Sequence, residues 1–411
     1  MDQGFNDPKA LLLQLCEEKS RDVSDAASRW ASSGAMSITG EPSGRARQVP
    51  VGVALSMDQL SEAITGITGF PIDGIALLGE RAAITGFTRQ GDRSVGGYAR
   101  LVEAVDKPIC INFARPDDLQ LIPAWLQRRI DPYDLKAVLS VIAKSQSQEL
   151  MEQADLLGIP LGVPDTEGNA KPAVLTEGGP SKRHSDVPLV LEFGSLWASP
   201  LCGDLLRRNG CRVIKVESLS RPDGARRGPA GFFDLLNGGK ESLALDVNDD
   251  SSLKLLLKIV KESDVVIEGS RPRALKQFGI NAEKEVENGT VWISITGYGR
   301  TGFRSGGVAF GDDAAVSGGL FLREPLGFVA DAVADPSAGL LAATLGLSAL
   351  RSKKGWMLDV SLSGVAKWML GSGEIPTEVK GNKAVEPYAR KIEIAAPIIG
   401  QHNNDLKNEF S

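Results

Sequence analysis

The sequence predicts an α/β protein: a doubly wound parallel sheet in the second half of the chain, with a smaller α+β unit placed ahead of it. Three observations carry that expectation. After residue 187, short apolar runs alternate with helical stretches, the pattern of βαβ units. Two β-like runs, 98–102 and 109–113, flank the turn Asp106-Lys107-Pro108 in the first half. Between the halves lies a polar stretch rich in Gly and Pro, with the composition of a linker.

Residues 1–75 read as helical. Stretches 8–18 and 22–30 carry apolar residues at helical spacing, a small-residue run follows at Ser32-Ser33-Gly34-Ala35-Met36, and a further helix starts from Met57. Residues 75–97 read as loop, with Gly79, Gly86, Gly91, Gly96 and Gly97. The α+β unit follows, with helices over 116–126 and 133–157 and a short apolar segment at 159–163. In the second half, strands are expected at 189–193, 213–216, 243–245, 265–267, 291–295 and 357–360, and helices at 198–208 and 250–261. The organisation is therefore 1–75 helical, 76–165 small α+β unit, 166–186 linker, 187–365 large unit and 366–411 tail.

The chain has 411 residues and a net charge of -6, with no basic footprint for nucleic acid. No apolar run reaches the length of a membrane span and no signal peptide opens the chain, so a cytoplasmic protein is expected. Cys16, Cys110, Cys202 and Cys211 have no metal-type spacing and read as reduced thiols. With only His184 and His402, most histidine-based acid–base and metal chemistry is excluded.

A dinucleotide site would need G-x-G-x-x-G after the first strand of the sheet. The chain has Gly194-Ser195-Leu196-Trp197-Ala198-Ser199-Pro200, without the second and third glycines, although Glu217 ends the second strand where a ribose-binding acid would stand. A different stretch holds more chemistry. In 328–346, FVADAVADPSAGLLAATLG, Asp335 precedes Pro336 at the start of a helix rich in small residues. It fits an N-cap, with Pro336 in the first turn, and it equally fits a carboxylate nucleophile against a close-packed helix. The N–H groups of Ser337 and Ala338 would then face a developing oxyanion.

Specific resemblance begins at Val190-Leu191-Glu192-Phe193 and Ala198-Ser199-Pro200, and runs through Val213-Ile214-Lys215-Val216-Glu217, Asp223, Arg226, Asn237 and Lys240. It continues through Asp264-Val265-Val266-Ile267-Glu268, Arg271-Pro272, Gly297-Tyr298-Gly299, Ser317-Gly318-Gly319 and Asp359-Val360-Ser361-Leu362. Over 187–365 the chain resembles the family III CoA-transferases, which act on carnitine-, formyl- and bile-acid-CoA and are related to the alpha-methylacyl-CoA racemases. The tail segment Ala396-Pro397-Ile398-Ile399-Gly400-Gln401-His402 resembles the close of that family, and Gly96-Gly97-Tyr98, Arg115-Pro116-Asp117-Asp118 and 158–163 resemble its small domain. That domain, inserted after the large one in typical members, here comes first. Residues 33–66 further resemble a degenerate copy of 317–346, with Leu55 in the place of Asp335.

The resemblance implies a Rossmann-like CoA-binding large domain and a transferase that moves CoA between an acyl-CoA and a free carboxylic acid. Asp335 is the implied nucleophile, forming an aspartyl intermediate. Contacts to CoA fall on Leu196, Trp197, Ala198, Ser199 and Pro200, on Ser218, and on Ser270, Arg271, Arg273 and Lys276. Coenzyme A is a co-substrate; no metal or redox cofactor is implied, and two chains interlock as a homodimer. A racemase or epimerase of 2-methylacyl-CoA needs a histidine ahead of Ser317-Gly318-Gly319, where the chain reads Ala309-Phe310-Gly311-Asp312-Asp313. Asp312 would serve there only as an acid, and its commoner role is a solvated loop carboxylate. A non-catalytic acyl-CoA-binding protein is the remaining alternative.

Overall fold

The computed structural model describes residues 4–17, 23–115, 117–165, 171–182, 185–246, 248–269, 273–371, 373, 375 and 383–411. Alternation of apolar residues builds the first sheet from β1 (Ala99–Glu103), β2 (Pro108–Asn112) and β3 (Leu161–Gly162), antiparallel in the order β1-β2-β3. Val102, Ile109 and Ile111 point into a core shared with Trp125, Ile142 and Leu150 of the following helices. Leu101 and Cys110, one residue out of phase, bury against Val316, Phe321 and Phe328 of the larger unit. This small sheet is thus covered on both faces, and its second face is what docks it.

The larger sheet has seven strands. They are β4 (Ala173–Pro180), β5 (Leu189–Phe193), β6 (Arg212–Ser218), β7 (Glu241–Leu245), β8 (Val265–Glu268), β9 (Val291–Thr296) and, after the short hairpin of β10 (Leu322–Arg323) and β11 (Leu326–Gly327), β12 (Lys354–Ser361). Their order is β4-β12-β9-β8-β5-β6-β7, parallel throughout except for β4. From β5 the chain winds outward through β6 and β7, then returns to the other side of β5 with β8. The point where the direction reverses, between β5 and β8, is where ligands of such sheets gather. The expected doubly wound parallel sheet is present.

The helix Ala334–Arg351 is the centre of the packing. Every residue from 334 to 349 except Asp335 is buried, so the helix is apolar all round, as a helix inside a protein must be. Its small residues let neighbours approach. A β-carbon on Gly339 would lie 2.6 Å from the carbonyl oxygen of Ala198, so the helix Ala198–Arg208 crosses at close range only because residue 339 is Gly. Leu11, Trp30, Met57 and Leu60 of the N-terminal helices share one core with Leu201, Leu340, Leu345 and Leu358.

Four local expectations are corrected. Residues 75–97 were expected as loop, but open with the 3-10 turn Ile75–Gly79 and the helix Glu80–Thr85, whose apolar face is buried with Ala82. The long helix expected over 133–157 is two helices, Leu135–Ile142 and Ser147–Leu157. The polar stretch read as linker holds β4, whose one-sided burial suits an edge strand antiparallel to β12. Asp335 lies inside the first turn of its helix and does not cap it, because the helix begins at Ala334 with Val333 as the N-cap.

The tail returns to the free edge of β7. His402 Nδ1 accepts the Ser242 N–H at 2.9 Å, and the Asn403 amide bridges the N–H and C=O of Ala244 at 2.9 and 2.8 Å. An exposed sheet edge is covered in this way, and His402 is committed to structure. His184 lies outside the described residues. Among the described residues no helix is long and apolar enough to cross a membrane.

Candidate active site

Asp335 is partly exposed in the first turn of an otherwise buried helix. It accepts a hydrogen bond from the N–H of Gly311, and its own N–H donates to the Ala332 carbonyl at 2.8 Å. A β-carbon on Gly311 would sit 2.8 Å from both Cγ and Oδ2 of Asp335, which makes glycine a steric requirement there. Ser337 and Ala338, expected to offer N–H groups to an oxyanion, are fully buried in the second turn. Only the first four N–H groups of a helix are free, and these two fall beyond them. The Ser337 hydroxyl donates back to the Val333 carbonyl at 2.7 Å.

The loop before the helix is strained. Ala330 and Ala332 both have positive φ, at 52° and 46°, a region that a residue with a β-carbon seldom enters. Two side chains hold it: Ala330 N–H donates to Thr39 Oγ1 at 2.9 Å, and Ala332 N–H donates to Asp312 Oδ1 at 3.1 Å. Between the two alanines stands Asp331, wholly buried. It receives the guanidinium of Arg81 on both oxygens, Nε at 2.8 Å from Oδ2 and Nη2 on Oδ1. The same guanidinium lies 5.1 Å above the ring of Trp197, a cation–π distance.

Arg81 therefore stands among three carboxylates, Asp331, Asp312 and Asp335. Burial works against its charge, and the carboxylates outweigh it, so its pKa is raised. Burial pushes Asp335 up to about 7; Arg81 and the Gly311 N–H oppose the rise, while Asp312 and Asp331 add to it. Asp312 also reaches about 7, first from burial and then from Asp331. It was expected as a solvated loop residue, but lies in the helix Gly311–Ser317 and is buried, with Ser94 and the Ala332 N–H bonded to it. Next to it, burial pushes Asp313 to about 7; its Oδ1 accepts from Asn112 of β2 at 2.7 Å and from the Phe310 N–H at 3.1 Å.

The residues expected at CoA divide into groups. Leu196, with a positive φ of 68°, is exposed and donates its N–H to Asp223 at 3.0 Å. Trp197 is buried under Arg81, so this turn joins the Asp335 cluster, and the Ala198 carbonyl meets Gly339 one helical turn beyond Asp335. Ser199 is buried against Gly194 and Gly269 at the ends of β5 and β8, and Pro200 is buried in the helix. Ser218 bonds to Ser220 at 2.9 Å, and Lys276 is exposed; neither has a contact with the Asp335 cluster among the described residues. Arg273 opens the short helix Arg273–Lys276, and Ser270 and Arg271 lie outside the described residues. Glu217 does not face a ribose position, being occupied by Arg226 at 2.6 Å.

Sequence reasoning missed Arg81 and Asp331, and undervalued Gly311 and Asp312. The signal for the first pair was present: Glu80 and Arg81 interrupt the apolar stretch 75–84, and Asp331 interrupts 328–334. A charge inside an apolar run requires a partner when buried. Glu80 finds Arg390 of the tail at 2.7 Å, and Arg81 finds Asp331. A groove of about 510 Å³, lined among others by Gln90, Asp92, Arg100, Leu101, Leu139 and Pro325, opens off the same 90–94 loop that carries Ser94; Asp335 is not on its wall.

With this geometry in hand, the chain's relatives place it. It matches CoA-transferase family III over residues 188–399, a little over half its length, and it belongs to that family. A succinyl-CoA–D-citramalate CoA-transferase of Chloroflexus aurantiacus is 31% identical over 193 residues, 42% of this chain and 48% of that protein. A (R)-2-hydroxy-4-methylpentanoate CoA-transferase of Clostridioides difficile is 30% identical over 224 residues, 47% of this chain and 54% of its own. The chain thus spans about half the length of these relatives. Among solved structures, a CAIB/BAIF family protein from Brucella suis matches at 25% identity and a TM-score of 0.42, over 49% of this chain and 60% of that one.

Proposed function

We propose that the protein transfers CoA between an acyl-CoA thioester and a free carboxylic acid, with Asp335 as the nucleophile. The observation that supports this best is the exposure of Asp335 alone on a buried helix, its carboxyl seated on the Gly311 N–H beside Arg81. An oxygen of Asp335 attacks the thioester carbon, the C–S bond breaks, and a mixed anhydride and CoA thiolate result. The thiolate then attacks the Asp335 carbonyl carbon of the anhydride and expels the first acid. The acceptor carboxylate attacks the aspartyl thioester, frees CoA thiolate and forms a new anhydride with Asp335. The thiolate then attacks the acceptor's carbonyl carbon, and the new acyl-CoA leaves as the Asp335 carboxylate is regenerated. The turn at Leu196 and Trp197 is the part of the expected CoA site nearest this chemistry.

The test is CoA exchange between an acyl-CoA and an isotopically labelled acid across a panel of acids. Wild-type protein is expected to exchange, and Asp335→Asn to lose at least about 10³-fold, the scale of removing a covalent nucleophile. Exchange by Asp335→Asn at the wild-type rate removes the proposal. Tight CoA binding by the wild type without exchange would favour the non-catalytic alternative.

A second reading, proton exchange at C2 of a 2-methylacyl-CoA, draws on Asp312, which is buried near Asp335. Incorporation of solvent deuterium at C2 would favour it, and its absence excludes it. The homodimer is carried as a proposal on the family resemblance; a stable active monomer in sedimentation would refute it.

A further inference from the structure

We propose that Arg81 supplies the oxyanion donor of this site: its unused N–H groups receive the carbonyl oxygen of the acyl thioester as Asp335 attacks. This rests on the reading of Asp335 as nucleophile and adds the group that makes its attack feasible. The need arises from Ser337 and Ala338, which are buried in the helix and cannot serve. A tetrahedral intermediate formed beside Asp312 and Asp331 adds negative charge to a site already rich in it. A donor fixed before the reaction is then worth most.

Arg81 has the required properties. Its Nε and one Nη2 position are taken by Asp331, and among the described residues nothing accepts from Nη1. A guanidinium has five N–H donors, so most of its donor capacity remains. Its side chain is 23% exposed although its partner Asp331 is 0% exposed, so the fork is anchored on one side and open on the other. Trp197 below it and the Asp331 fork together fix its plane. Gly96 leaves the space beside Nη2 open, since a β-carbon there would lie 3.0 Å away. Of the charged groups acting on Asp335, Arg81 is the foremost favouring its ionised form. Arg81 lies outside residues 188–399, so this donor comes from the part of the chain that the family match does not cover. Asp331 is the positioning residue that aims it.

The experiment follows release of the free carboxylic acid from an acyl-labelled acyl-CoA in a single turnover without acceptor acid. Arg81→Gln is expected to slow release about 10²–10³-fold, the cost of removing one oxyanion donor, with the acyl-CoA KM changed far less. Arg81→Ala is expected to recover part of the rate on addition of guanidinium ion, which a purely structural role would not allow. Should Arg81→Gln fail to fold, Arg81→Lys keeps the charge and loses the fork, and is expected to be slower than wild type by at least about tenfold. Release by a folded Arg81→Gln or Arg81→Lys within twofold of wild type, while Asp335→Asn is inactive, overturns the Arg81 assignment and leaves the proposed function standing. Wild-type release by Asp335→Asn removes the proposed function itself.

Discussion

At Gly311 there is no room for a β-carbon, because the Asp335 carboxyl occupies the space. This contact links two residues 24 positions apart and confines the Asp335 carboxyl. Gly311→Ala should push the carboxyl aside, and also press on the Ala332 carbonyl. A displacement near 1 Å from attack geometry costs about 10²-fold in rate, and kcat is expected to fall by that order in the exchange assay. Unchanged kcat in a folded Gly311→Ala protein would show that Asp335 is not held where it reacts. Asp335 must be ionised to attack and its pKa is raised to about 7, so kcat should decline on the acid side of that value. The limb belongs to the coupled pair of Asp335 and Asp312 rather than to one group.

Between elements, the helix Gly311–Ser317 joins the two units. Asp312 faces the strained loop, and Asp313 faces β2 through Asn112. Asp312, Asp313 and Asp335 all have folded pKa values raised from 3.8 to about 7. Between those values the folded chain binds more protons than the unfolded one. The stability these groups contribute is therefore present in acid and is lost as pH rises through their folded values. Melting temperature should fall between about pH 4 and about pH 7 and level off above, and Asp313→Asn, which removes one of the three titrations, should fall less. An equal fall in the variant would contradict this account of Asp313. The sheet itself was legible in the sequence because each parallel strand is a continuous apolar run between turn signals, as at 189–193 and 291–296. β4 was not legible, since an edge strand buries little and its Gly178-Gly179-Pro180 reads as turn. The start of the Asp335 helix was misplaced by two residues, because Pro336 is tolerated anywhere in the first turn and does not mark its first position.

Across the whole molecule, the site draws on residues from Thr39 and Arg81 to Asp335, and Thr39, Arg81 and Ser94 lie outside the family match. The nucleophile candidate was legible because its motif is local. Arg81 was not, because a single arginine in an apolar stretch says that a partner exists without saying which one. Only the fold, by packing the N-terminal helices into the same core as the Asp335 helix, brings Arg81 to Asp331. The small sheet likewise reaches Asp313 within this one chain. The claim on which the rest depends is the aspartyl intermediate, and it can be seen directly. The protein is mixed with an acyl-CoA, reduced with borohydride, digested and read by mass spectrometry. An aspartyl-CoA thioester at residue 335 would be reduced to the alcohol, so the peptide carrying Asp335 should appear with homoserine in its place, only when acyl-CoA is present. An unmodified Asp335 peptide from protein that is turning over CoA transfer would contradict the account.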